Sequence, residues 1–365
     1  MANVWRGRII WLLGCLLLGV LPVAAQSSIM PIYVVPRPSG IAIHVLPDAT
    51  TPLLMLLNAE TPLGASGRTE DSRWIKVELS DDVEGWVSSE YVRSDMLDQT
   101  TMLPVTTPDA ALILQLAPFW NFSTPNIQEI YARGQAEGRR ADFFSVVGDS
   151  ISASPMFLQP IGYGVYDLGT FGYLQPVLER FGTHEASSFR TPSVAVRTGW
   201  STQDVLNPEK ATRQGCPPGT VPLTCEYMFS NPAFAVIMLG TNDATMMDVT
   251  TFERNLNQVV ELSIEANVVP MLSTVPPLLL SQANEQAHNL AIIRVAQAHN
   301  VPLVNLWLAV QPLPNLGMSD DGVHLSGPPS NAGTTLFNGT YIEYGYTMRN
   351  LVTLQGLEML LRQTS

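Results

Sequence analysis

Phe143-Phe144-Ser145-Val146-Val147-Gly148-Asp149-Ser150-Ile151-Ser152 (FFSVVGDSIS, residues 143–152) is the stretch from which the fold can be read. Five residues, four of them apolar, form a short run of the length and composition of a buried strand, and Gly148 ends it. A glycine at a strand end permits a sharp turn. Ser150 then falls at the start of the next helix, with its hydroxyl exposed and backbone N–H groups around it that can face a developing oxyanion. Taken alone the triplet is compatible with a simple helix-capping serine, so the rest of the chain has to supply the context.

Further along, similar patterns recur. Phe234 to Leu239 is a second buried strand, and Val268 to Thr274 and Val301 to Leu306 are two more. Helical periods lie between them: Phe252, Leu256, Val259 and Val260 share one face, Leu290 to Val295 belongs to another helix, and Met348 to Leu361 forms a closing one. A helix is also expected over Asn126 to Gly138. Strands alternating with helices predict a parallel sheet covered on both faces, and ligands in such sheets bind beyond the carboxyl ends of the strands.

Two more polar clusters fall after strand ends or near the carboxyl terminus. Gly240-Thr241-Asn242-Asp243 follows Leu239. The Asn242 amide can donate to an oxyanion without changing protonation state, whereas Asp243 suits a helix cap or a loop brace. Asp321-Gly322-Val323-His324 places a carboxylate three residues from an imidazole, a spacing that can hold the ring tautomer while its other nitrogen accepts a serine proton. Of five histidines, His44 lies in the β unit, His288 and His299 lie in or beside a helix, and His184 has no comparable carboxylate, so His324 is the candidate base. Asp320 competes with Asp321, and the spacing favours Asp321.

GDSIS, GTND and DGVH, in this order, resemble three marker blocks of the SGNH (GDSL-type) hydrolases, over about residues 126 to 365. The resemblance implies a flavodoxin-like three-layer α/β/α hydrolase domain with a parallel sheet and no cofactor, and with no CxxC, HxH or HExxH pattern in the chain nothing suggests a metal site. It implies Ser150 as nucleophile and first oxyanion N–H, Asn242 as side-chain oxyanion donor, His324 as base and Asp321 as its orienting acid. A fourth block supplies one glycine N–H, placed at Gly199 in VRTGWST, with Gly164 and Gly172 as alternatives. A GxSxG elbow is absent, which argues against the α/β-hydrolase fold.

Residues 29–95 read as a small all-β domain. Ile41, Ile43 and Val45 alternate with smaller or polar neighbours; Trp74 to Leu79 and Gly85-Trp86-Val87 follow, broken by Gly, Pro, Asp and Ser. The order SRWIKVEL to EGWVSSEYV resembles a bacterial Src-homology-3-like β-barrel, with a cell-wall or polysaccharide ligand as the implied partner. Residues 96–124 show no clear period and are expected to be a linker to the hydrolase domain at 125–365.

The first 25 residues fit a signal peptide: Arg6 and Arg8, an apolar run from Ile9 to Leu21, then small residues before Gln26. Retention as an anchor is the alternative. Export would make the protein secreted or cell-surface and a Cys216–Cys225 disulfide permissible, with Cys15 lost with the leader. Hydrophobic residues make up 46% and charged residues 14%, which fits a globular chain. A net charge of −13 without a basic stripe argues against a nucleic-acid partner. The expected reaction is hydrolysis of carboxylic esters, O-acetyl groups on polysaccharide among them. A lipolytic or small-ester acylhydrolase and an inert surface-binding protein are the alternative readings.

Overall fold

The computed structural model describes residues 30–34, 40–57, 61–80, 83–93, 95–182, 187–212 and 214–364. The expected leader, Cys15 and His184 lie outside the described residues.

The N-terminal region is a six-stranded antiparallel sheet of β1 (Met30–Val34), β2 (Ile41–His44), β3 (Leu53–Leu57), β4 (Thr61–Arg68), β5 (Trp74–Ser80) and β6 (Val83–Ser88), in the order β1-β4-β5-β6-β2-β3. Period-two patterning explains it. Ile75 and Val77 point inward and are fully buried, while Lys76 points outward and pairs with Glu84 on β6 at 2.7 Å. With Ile32, Ile41, Ile43 and Val87 they form a core of their own. Trp86 belongs to the buried interior, whereas Trp74 is partly exposed, its ring meeting His44 edge-on at 5.6 Å.

The second sheet contains β7 (Phe119–Trp120), β8 (Arg140–Gly148), β9 (Pro232–Met238), β10 (Val269–Ser273) and β11 (Leu303–Val304), in the order β7-β11-β10-β9-β8. β8 to β11 run parallel; β7 pairs antiparallel with β11. Every residue of the central β9 is buried, as a strand covered on both faces requires. On the far side of β8 a single parallel bridge joins Gly148 to Val196. The segment around Val196 thus takes the place of a second strand, reduced to one residue pair. Counting it, the chain runs outward from β8, then returns to β9, giving the doubly wound order with its switch point between β8 and β9.

Helix Val249–Glu265 packs on Gln282–Ala298 and on Pro222–Ser230, while Gly345–Gln363 packs on Pro125–Ala136 and Gln175–Gly182. Phe252, Leu256, Val259 and Val260 form the buried face of the first of these, the face expected from their spacing.

The stretch 96–124 does not behave as a free linker. It holds two short helices, Leu97–Thr100 and Ala110–Leu116, and β7, and Ile113, Leu114, Ala117, Trp120 and Phe122 are in the main core. Helices of four and seven residues and a strand of two are too short to show a period, which is why patterning missed them. Asn305 secures this segment: its Nδ2 donates to the carbonyls of Ile113, Leu114 and Ala117 at 3.2, 2.9 and 2.9 Å. Leu46, in the turn after β2, is also buried in the main core, so the N-terminal sheet is docked on the α/β unit.

Candidate active site

Ser150 and Asn242 sit where a strand hands over to a loop, and Asp321 and His324 lie in the turn between the bridged residues Met318 and Leu325. Gly148 ends β8 with no room for a side chain: a Cβ there would lie 2.4 Å from Ser152 Oγ and 2.8 Å from the Met238 carbonyl oxygen. Asp149 caps the one-turn helix Ser150–Ala153 by accepting from the Ile151 amide at 2.9 Å, which places Ser150 at its first position. Asp149 is fully buried, and burial pushes its carboxyl up.

Ser150 Oγ lies 2.9 Å from His324 Nε2, and His324 Nδ1 lies 2.7 Å from Asp321 Oδ2. Asp321, not Asp320, therefore faces the imidazole. Its other oxygen accepts from the amides of Val323 and His324 at 2.9 Å each and from Ser319 Oγ at 2.8 Å. Desolvation would raise this carboxyl, but those hydrogen bonds and the one from the His324 ring outweigh it and hold Asp321 well below the usual carboxylate range. A permanently charged Asp321 requires a proton on Nδ1, leaving Nε2 free to accept from Ser150. The relay is open to solvent, with the His324 and Asp321 side chains 41% and 52% exposed.

The loop 195–202 runs beside the end of β8. Gly148 N–H donates to the Ala195 carbonyl at 3.1 Å and Arg197 N–H donates to the Gly148 carbonyl at 3.2 Å. Gly199 follows with φ of +79°, a left-handed conformation that favours glycine. Asn242 Nδ2 donates to the carbonyl of Trp200 at 2.8 Å. That bond uses one of two amide hydrogens and ties Asn242 to the residue after Gly199. Asp243 braces the same loop instead of capping a helix: its Oδ1 accepts from the Thr202 amide at 2.9 Å and from the Thr202 hydroxyl.

Sequence reasoning missed one contributor. Arg349, buried in the helix Gly345–Gln363, donates to the Ile151 carbonyl and to Ser152 Oγ, both at 2.7 Å, and its guanidinium covers the Phe157 ring at 3.7 Å. It grips the turn that carries Ser150. Burial lowers this guanidinium to about 10, still charged at neutral pH. Nothing local to position 349 signals the role, because its partners lie nearly 200 positions away in the chain. Cys216 and Cys225 are joined by a disulfide, with Cα atoms 5.6 Å apart.

A serine, a histidine and an aspartate linked in series at the switch point of a doubly wound sheet are the parts of a serine hydrolase. The chain belongs to the GDSL-like lipase/acylhydrolase family, whose model matches residues 146–328, and it is a serine hydrolase acting on ester bonds. Similar solved structures include a lipase/acylhydrolase from Enterococcus faecalis, with 19% identity over 59% of this chain and 94% of that one and a TM-score of 0.39. A GDSL-like lipase from Bacteroides thetaiotaomicron has 17% identity over 65% of this chain and 98% of that one, with a TM-score of 0.37. The esterase EstA from Pseudoalteromonas sp. has 19% identity over 50% and 87%, with a TM-score of 0.32. No curated protein matches the sequence.

Proposed function

We propose that this protein is an exported esterase that removes O-acetyl groups from polysaccharide through an acyl-serine intermediate on Ser150. The observation that carries the chemistry is the relay from Asp321 through His324 to Ser150, with 2.7 and 2.9 Å links. Ser150 Oγ attacks the ester carbonyl carbon while its proton passes to His324 Nε2. The negative charge that builds on the carbonyl oxygen is received by the N–H groups of Ser150 and Gly199 and by the free amide hydrogen of Asn242. Collapse breaks the bond to the sugar oxygen, which leaves with the proton from His324. Water then gives a proton to His324 and its oxygen to the acyl carbon; the second collapse releases the acid and restores Ser150.

Two features support a polymer substrate. The His324 and Asp321 side chains are open to solvent, which suits a substrate too large to enter a closed pocket. The sequence of residues 1–25 fits an export signal. A second reading, a longer acyl chain, is favoured by two exposed apolar side chains beside the site. Met246 closes the turn after Asn242, and Leu280 adjoins Leu279, whose amide donates to the Gly322 carbonyl.

The test is turnover on nitrophenyl esters of increasing acyl length and acetate release from an acetylated polysaccharide, each with Ser150→Ala as control. Acetyl preference with acetate release is expected, and the Ser150→Ala protein should be inactive although folded. Wild-type turnover in folded Ser150→Ala would refute the mechanism, and a preference for long acyl chains would replace the polysaccharide reading by the lipolytic one.

A further inference from the structure

One sizeable cleft lies away from Ser150. Of about 710 Å³, it lies where the N-terminal sheet meets the α/β unit. Its walls include Asp48, Asp71 and Trp74 from the first and Trp120, Glu129 and His299 from the second. Topology puts it at the opposite end of the molecule from the catalytic loops. His299 and Asn300 precede β11, and Asn121 follows the antiparallel β7, so both lie at the amino ends of the parallel strands. Ser150 and Asn242 lie at the carboxyl ends, on the order of 20 Å away for strands of this length.

The cleft is held open by contacts across it. Arg73 donates to the Ser123 carbonyl, and Asn300 Nδ2 donates to Glu70 Oε2 at 3.0 Å. With Leu46 buried in the main core, these fix the N-terminal sheet against the α/β unit. The volume falls in the range of small-molecule sites.

Its lining specifies a ligand chemistry. Asp48, Glu70, Asp71 and Glu129 border it, and Arg73 is already engaged by Ser123 and Asp71, so an anion is disfavoured. Carboxylates only accept hydrogen bonds, which suits hydroxyl donors. Trp74 is partly exposed, and Trp120 is buried with its indole N–H unpartnered. An aromatic surface beside hydrogen-bonding groups matches a pyranose, whose ring has an apolar C–H face and a rim of hydroxyls.

We propose that this cleft is a second binding site, taking a neutral oligosaccharide segment of the polymer whose esters are cleaved at Ser150. The link to that polymer rests on the function proposed above; sugar binding itself does not depend on Ser150. Holding the chain at the far end raises the local concentration of its esters at the catalytic end without adding contacts there.

The experiment is calorimetric titration of the full-length protein with ester-free xylohexaose and cellohexaose, which the esterase cannot process. One of them should bind with a Kd tighter than about 1 mM. Trp74→Ala should weaken it at least tenfold and Glu129→Gln severalfold, both with unchanged turnover on nitrophenyl acetate. Should Trp74→Ala fail to fold, Glu129→Gln, from the other wall, still decides. Lack of binding by either sugar, binding of hexalysine in their place, or affinity unchanged in the folded variants would overturn the proposal. Ser150→Ala should bind the hexasaccharide normally, so failure of the esterase mechanism and failure of the second site are separately visible.

Discussion

Removing Asn242 and removing Arg349 should have different signatures. In the proposed mechanism Asn242 donates to the oxyanion through a side chain already held by the Trp200 carbonyl. Asn242→Ala is expected to cut kcat by roughly a hundredfold or more with little change in KM, the usual cost of one oxyanion donor. A change in KM alone would place Asn242 on the bound substrate instead. Arg349 satisfies the Ile151 carbonyl and the Ser152 hydroxyl in a buried site. Arg349→Met leaves both acceptors unpaired and should cost roughly 2–4 kcal/mol in urea denaturation, together with a drop in kcat. Arg349→Lys should regain part of the stability but not the two-pronged grip. Full activity in a folded Arg349→Met protein would show that the turn holds its shape unaided.

At the scale of elements, the helix Gln282–Ala298 carries a buried carboxyl into the core. Glu285 is 2% exposed, and burial raises its carboxyl to about 7 from an ordinary 4.5, against the opposing hydrogen bonds from Asn289, Leu278 and Trp307. Between those values the folded protein holds a proton that the unfolded chain releases, so stability must fall as pH rises from 4.5 towards 7 and then level off. Below the lower value both states are protonated and the contribution is fully present. The size is roughly 3 kcal/mol at most. Urea midpoints of wild type and Glu285→Gln at pH 5 and pH 8 measure it: the wild type should lose stability across this range relative to the variant. Parallel pH profiles for the two proteins would show that Glu285 ionises normally.

At the scale of the whole molecule, the question is whether the N-terminal sheet is tethered or docked. Leu46 is 1% exposed and packs in the core of the α/β unit, although it belongs by sequence to the turn after β2. Leu46→Ala should therefore destabilise the whole protein by about 2–4 kcal/mol, the range for a buried leucine, while leaving turnover on a small soluble ester near wild type at 25 °C. A loss below about 0.5 kcal/mol, the level of surface substitutions, would mean that the sheet is only tethered. Docking also keeps Trp74 away from the catalytic end, so that residue does not shape the wall of the esterase site.

Much of this protein is legible in the chain because its chemistry is local. A buried run ending in Gly148 and followed by Asp149 and Ser150 encodes strand, turn and helix within ten residues, and Asn242 and the Asp321–His324 pair sit in equally compact signals. Order and spacing suffice to recognise them as parts of one site. Other features depend on the tertiary structure, because they are contacts between positions with no shared period. The one-residue bridge at Val196, the two-residue strand β7 and the three bonds from Asn305 are invisible to patterning: strands that short have no alternation, and a side chain's partners across the core leave no mark on its neighbours. The same holds for Arg349 beside the nucleophile turn and for the cleft between Trp74 and Trp120, which exists only where two separately patterned units meet. Local backbone preference determines which elements form; burial and hydrogen-bond satisfaction across long chain separations decide how they meet.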